Sequence, residues 1–198
     1  MLIRMLFNGG DTSFGLLGLV MKIELTPAGD LTVVENLFQY YLYDMSEFTG
    51  WSPDASGSYA IDTAVIGLHD YWQKDGHYPY LILCNDELAG FSLLRRYPYD
   101  SDYHDIGQFF VLRKYKRQGV GTVAFRLSVG QFPGFWLTRV LPDNIGALRF
   151  WRKVISDISV QKPVENQEDY GDKKMMFIRY EVESPIFSST ATEDANEY

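Results

Sequence analysis

The chain has 198 residues, 46% apolar and 16% aromatic, enough to bury a full core, and its length suits one domain with a tail. A formal charge of −8 disfavours sequence-independent binding to nucleic acid or to an anionic membrane. A single cysteine, Cys84, excludes an internal disulfide framework and fits a cytoplasmic setting, and His69, His77 and His104 lack metal-ligand spacing with it, so no metal is expected.

The first apolar stretch, residues 14–21, is far shorter than the roughly 20 residues of a membrane span, and it lacks the basic lead and cleavage site of a secretory signal. The sequence from Met21 reads as a first strand and turn, which makes residues 1–20 an N-terminal extension or a gene-start artefact. Asp30 is placed to cap a helix in which Val34, Leu37, Phe38, Tyr41, Leu42 and Met45 follow helical spacing, and Gly50 stops it. A shorter helix is expected between residues 59 and 72. Residues 78–85 and 88–96 read as two strands joined at Asn85-Asp86-Glu87, with Cys84 a buried strand residue rather than a nucleophile.

Residues 109–122 carry the strongest pattern: an apolar run, a cluster of cations, then Gly119-Val120-Gly121. Val120, Val123, Ala124 and Leu127 mark a helix that begins near Gly119 and ends before Gly130 and Pro133. Its first turn offers unpaired N–H groups and about half a positive charge, Gly119 and Gly121 let an anion approach the amides, and Arg113, Lys114, Lys116 and Arg117 add attraction. The guest this turn suits is a phosphate-bearing cofactor, although an ordinary solvated turn has the same composition.

A strand over residues 135–140 follows, then a helix capped by Asp143 or Asn144 with a stripe of Ala147, Phe150, Trp151 and Val154. This is the order of a βαβα unit. Residues 158–164 and 175–182 read as two further strands around a polar loop, so that the domain spans 21–183, and residues 184–198 as a flexible acidic tail. A dinucleotide-binding fold competes for the same glycines, because Gly119, Gly121 and Ala124 satisfy G-x-G-x-x-G/A and Asp143 lies about twenty residues on. In that fold the strand runs almost directly into the first glycine, whereas seven residues here separate Val111 from Gly119.

The chain resembles the GNAT acetyltransferase superfamily. Val111, Tyr115, Gly119 and Gly121 fall in register with its V-x-x-x-Y-R-x-x-G-x-G/A pattern, and Asn144, Ala147 and Phe150 with its N-x-x-A-x-x-F-Y helix. Within it, the phrases FFVLRKYKRQGVG and LRFWRKV look like a bacterial group of acetyltransferases of unassigned acceptor. The resemblance implies an α/β fold: a mixed, mostly antiparallel twisted sheet flanked by helices on both faces, opened between residues 108–112 and 135–140. It also implies acetyl-CoA as the acetyl donor, bound by Val111, Leu112, Arg113, Lys116, Arg117, Gln118, Gly119, Val120, Gly121, Thr122, Asn144, Ala147 and Phe150. In this family, backbone N–H groups near Val111 would polarise the acetyl carbonyl. The family's usual Arg or Gln is Lys116 here, and the Tyr that often serves as general acid is Trp151, whose indole cannot protonate a thiolate.

The implied function is direct transfer of an acetyl group to a primary amine, small molecule or peptide, by a monomer or homodimer; the alternative is a coenzyme A sensor or scaffold without turnover. An alkylammonium with a pKa near 10.4 is neutral in only about one molecule in a few thousand at pH 7, so a base would help. Gln108 stands where many members have Glu, which leaves the carboxylates Asp44, Glu47, Asp102 and Asp105, with Glu47 and Asp105 ranked first as bases; each of the four also reads as a solvated or capping carboxylate. Tyr103 is the candidate proton donor, with Tyr43 the other phenol in range, and the aromatic clusters at 40–43 and 97–99 could wall an acceptor pocket.

Overall fold

The computed structural model describes residues 21–59 and 67–183. The expected N-terminal extension, the tail and most of the second expected helix lie outside these residues. The described elements are β1 (Ile23–Pro27), α1 (Leu31–Thr49), α2 (Asp70–Gln73), β2 (His77–Cys84), β3 (Glu87–Arg96), β4 (Tyr103–Val111), a 3-10 turn (Arg113–Tyr115), α3 (Val120–Val129), β5 (Gly134–Val140), α4 (Ile145–Ser156), β6 (Val164–Tyr170) and β7 (Lys173–Val182). The strands form one sheet in the order β1-β2-β3-β4-β5-β7-β6, antiparallel throughout except between β4 and β5.

Local chemistry sets the first half. Asp30 caps α1 by accepting from the Thr32 N–H at 2.8 Å, and Gly50, at φ 71°, closes it with an N–H to the Ser46 carbonyl. Val34, Leu37, Phe38 and Leu42 of this helix pack on Phe91, Leu93 and Phe110 of one sheet face. Asn85 and Asp86, both in the left-handed region at φ 51° and 65°, make the two-residue turn of the β2–β3 hairpin. α3 and α4 cover the opposite face, where Phe125, Val129, Trp151 and Ile155 meet Leu94, Ile106, Trp136 and Ile178. Helices thus lie on both faces, as expected.

Two expectations change. α4 buries Leu148, Trp151, Val154 and Ile155, so its apolar stripe is turned relative to the expected one, and Ala147 and Phe150 sit at the margin of the core. The strand expected over 158–164 is displaced: only an isolated bridge joins Ser159 to Val182, and β6 begins at Val164 and runs through the polar residues expected as a loop. β6 is an edge strand, held by its ladder to β7, by Glu168–Arg179 and Asp169–Lys174 ion pairs, and by a two-residue turn that starts with Gly171 at φ 63°. A charged edge needs no apolar alternation and resists pairing with other chains.

His104 on β4 is 3% exposed, stacked between Phe132 and Trp136 at ring distances of 4.6 and 5.1 Å, with its Nε2 unpartnered among the described residues. Burial, helped by the Arg96 guanidinium, pushes its pKa down to about 4. The folded pKa is below the unfolded one, so the unfolded chain takes up a proton first, and stability is full above about pH 6.5 and lost as pH falls toward 4. Wild type is expected to lose about 2 kcal/mol more than His104→Phe between pH 7.5 and 5 in paired urea titrations.

Candidate functional site

The parallel pair β4 and β5 is laddered only from Tyr103–Phe135 to Asp105–Leu137, and beyond these residues the two strands part. β4 continues alongside β3 for the six residues from Ile106 to Val111, about 20 Å at 3.3 Å per residue. The side of β4 that faces away from β3 therefore has no strand partner there, and its N–H groups are available to a guest. One interruption on the β3 side adds to this: Leu93 pairs with Gln108 and Leu94 with Ile106, which leaves Gly107 as the extra residue of a bulge. The cleft has its apex at Asp105 and Leu137 and its mouth at the first turn of α3.

At the mouth, Gly119 is the N-cap of α3 at φ 82°, and no side chain caps the helix. The N–H groups of Val120, Gly121 and Thr122 therefore project without a capping partner, in a helix of 10 residues. Val120 is fully buried and anchors the turn against Ile82 and Tyr115. A Cβ placed on Gly121 would lie 3.4 Å from Phe150 Cζ and 3.8 Å from Val111 Cγ2. The two sequence motifs, 111–121 and 144–150, thus meet across Gly121. Asn144 is the N-cap of α4, its Oδ1 accepting from the Ala147 N–H at 3.0 Å.

The cations behave less simply than their sequence suggests. Arg113 (2.6 Å) and Lys116 (3.0 Å) both pair with Asp44 near the end of α1, and Lys114 pairs with Glu87, which also accepts from the Tyr115 hydroxyl at 2.7 Å. Partial burial pushes the Asp44 carboxyl up, and the hydrogen bonds from Arg113 and Lys116 reverse this and hold it below the usual range. Gln118 turns back to the Lys114 carbonyl at 2.6 Å, and Leu112 donates its N–H to the Ala89 carbonyl. Among the described residues Arg117, itself at φ 65°, is the cation of this turn without an ionic partner.

At the apex, Asp105 is fully buried and its Oδ2 takes Arg95 Nε at 3.0 Å and Arg139 at 2.6 Å. Both guanidiniums bind this one carboxylate, so the expected base stands as the counter-ion of an arginine pair. Tyr103, the expected proton donor, lies where β4 and β5 are still laddered, its ring tilted against Phe135 with centroids 5.7 Å apart. Glu47 is exposed on the last turn of α1, and Tyr43 is exposed beneath the Arg113 guanidinium, 5.5 Å from its ring centre. Trp151 packs edge-on against Phe109, Phe125 and Phe150 and is 8% exposed.

Tyr41 was hidden in the helical stripe. It is half-buried, its ring at 6.0 and 6.1 Å from Phe91 and Phe110, and burial pushes its phenol up to about 12, an effect the Arg139 charge opposes. The phenol therefore keeps its proton at neutral pH. A cavity of 380 Å³ opens between the end of α1 (Phe48, Thr49), the loop Leu141, Pro142, Asp143, and the β6–β7 hairpin (Gln167, Lys173, Lys174).

The model of a family described as "Acetyltransferase (GNAT) family" matches residues 40–155, more than half of the chain. Similar solved structures include an acetyltransferase from Thermus thermophilus, at 12% identity and a TM-score of 0.59, covering 81% of this chain and 97% of that one. A spermidine N-acetyltransferase from Vibrio cholerae, solved with CoA and spermine, aligns at 11% identity and TM-score 0.54 over 82% and 95% of the two chains. An aminoglycoside acetyltransferase solved with coenzyme A aligns at 14% identity and TM-score 0.55 over 81% and 94%. No curated protein matches. No helix among the described residues is long and apolar enough to cross a membrane.

Proposed function

The chain belongs to the GNAT acetyltransferase family, and from that premise we propose that it transfers the acetyl group of acetyl-CoA directly to a primary amine. One observation carries the reading: the cleft between parted parallel strands runs from the uncapped N-terminus of α3 to a charged apex. The residues fit the donor. Val120, Gly121 and Thr122 supply N–H groups for its diphosphate, Arg117 adds a cation with no ionic partner among the described residues, and the bare Gly121 leaves room between Val111 and Phe150. Arg113 and Lys116 reach the same diphosphate by exchanging Asp44 for phosphate oxygens.

Unpaired N–H groups of β4 between Ile106 and Val111 polarise the thioester carbonyl. The cavity beside Phe48 and Asp143 admits the amine, and Glu47, exposed one residue before Phe48 on α1, draws off the ammonium proton through water. The amine nitrogen then forms the new C–N bond, the C–S bond breaks, and the nitrogen's remaining extra proton passes through water to the departing thiolate, which leaves as the thiol. Tyr41 steadies the charge growing on sulfur with its O–H. Cys84 is buried at the end of β2, so transfer does not pass through an acyl-enzyme. The setting consistent with this chemistry is the cytoplasm.

The test is thiol release from acetyl-CoA with a panel of amines. Tyr41→Phe is expected to lower kcat about 100-fold or more with acetyl-CoA affinity unchanged. Gln108, which cannot accept a proton usefully, favours a second reading as a coenzyme A sensor. Tight cofactor binding with no release on any amine decides for the sensor.

A further inference from the structure

The apex of the cleft holds more positive than negative charge. Arg95 and Arg139 share the single carboxylate of Asp105, with side chains 16%, 7% and 0% exposed. Arg179, the next arginine on this side of the sheet, is neutralised by Glu168 and compensates nothing. Among the described residues, two atoms of the cluster also lack partners: Arg139 Nε, a donor, and Asp105 Oδ1, an acceptor. Buried groups of this kind are costly unless a partner completes them.

Tyr170 occupies the place where an anion would complete the set. Its ring face lies 4.1 Å from the Arg139 guanidinium carbon, its hydroxyl oxygen accepts from Arg95 at 3.3 Å, and Tyr97 closes the other side at 5.8 Å from Arg139. A ring face and a phenol oxygen carry only partial negative charge, whereas a carboxylate matches a guanidinium in charge and in planar geometry. Tyr170 is the last residue of β6 beside the Gly171 turn, so its ring can swing aside without unpairing the sheet.

We propose that Arg139 and Arg95 form a carboxylate-recognition subsite, so that the acceptor is a small amine bearing a carboxylate within a few bonds of its nitrogen. The carboxylate displaces the Tyr170 ring, and Asp105 Oδ1 accepts from an N–H of the same molecule. This rests on the acetyltransferase reading, because the subsite lies at the end of the cleft away from the diphosphate-binding helix.

The test compares thiol release by the full chain with glycine, β-alanine and L-α-amino acids, with their carboxamides, and with alkylamines and polyamines. The acids are expected to show at least 10-fold higher kcat/KM than their amides. Arg139→Gln should abolish that preference through KM and leave acetyl-CoA affinity unchanged. Since that variant strands Asp105, the double variant Asp105→Asn with Arg139→Gln provides a neutral pair for the same measurement. Equal kcat/KM for acids and amides, or a preference that survives in both variants, overturns the subsite and leaves acetyl transfer standing. If acetyl-CoA binds and no amine releases thiol, the transferase reading falls. Thermal shift then judges the subsite: carboxylates that raise the Tm of wild type but not of the variants sustain it, and no shift overturns it.

Discussion

Gly121→Val is expected to reduce coenzyme A affinity at least about 100-fold while changing unfolding stability by no more than about 1 kcal/mol. The glycine's empty Cβ position lies at ordinary contact distance, 3.4 to 3.8 Å, from Phe150 and Val111, so one added carbon fits. The two further methyls of valine have only the gap between these side chains to enter, and that gap is the passage from the helix N-terminus into the cleft. Gly121 is not in the left-handed region, so no backbone strain accompanies the change, and valine, a slightly better helix former than glycine, adds no propensity cost. Calorimetric titration with coenzyme A beside urea unfolding checks both halves. Affinity equal to wild type would move the cofactor site elsewhere.

Why that site was legible in the sequence while the apex was not follows from where the partners lie. The glycines, the N-cap Asp30 and the C-cap Gly50 act on their own neighbours within a few residues, so their chemistry is written locally. The parting of β4 from β5 was legible through the family resemblance, because the cofactor motif sits at the end of one strand and the second helix follows the other. Asp105 reads as a free carboxylate because its two arginines come from positions 10 residues before it and 34 after. Asp44 reads the same way, with partners 69 and 72 residues on. Conversely, the cation cluster reads as a ready anion site, yet acids from α1 and β3 already occupy Arg113, Lys114 and Lys116. β6 was misplaced because its stability comes from ladder bonds and charge pairs, and apolar alternation, the usual strand pattern, is absent from VENQEDY.

The opposite separation, stability lost together with function, is expected for Gly90→Ala. The two strands lie so close here that a Cβ on Gly90 would stand 2.0 Å from the Phe110 carbonyl oxygen and 3.0 Å from Val111 Cα. Both are backbone atoms of β4, so no side-chain rotation relieves the clash and the strand itself must move by about 1 Å. The register breaks nearby, since Ala89 is the extra residue between the pairs Ile82–Gly90 and Leu83–Leu88, and its carbonyl already holds the Leu112 N–H at 2.8 Å. Moving β4 sacrifices that bond and the packing of Phe110 on Phe91, which puts the variant among the rare substitutions that cost about 4 kcal/mol or more. For a domain of this size that corresponds to a Tm lower by roughly 8–16 °C. The displaced residue Val111 also flanks Gly121, so coenzyme A binding should weaken even well below the lowered Tm. A Tm within about 2 °C of wild type would mean that β3 and β4 are not drawn together at this point.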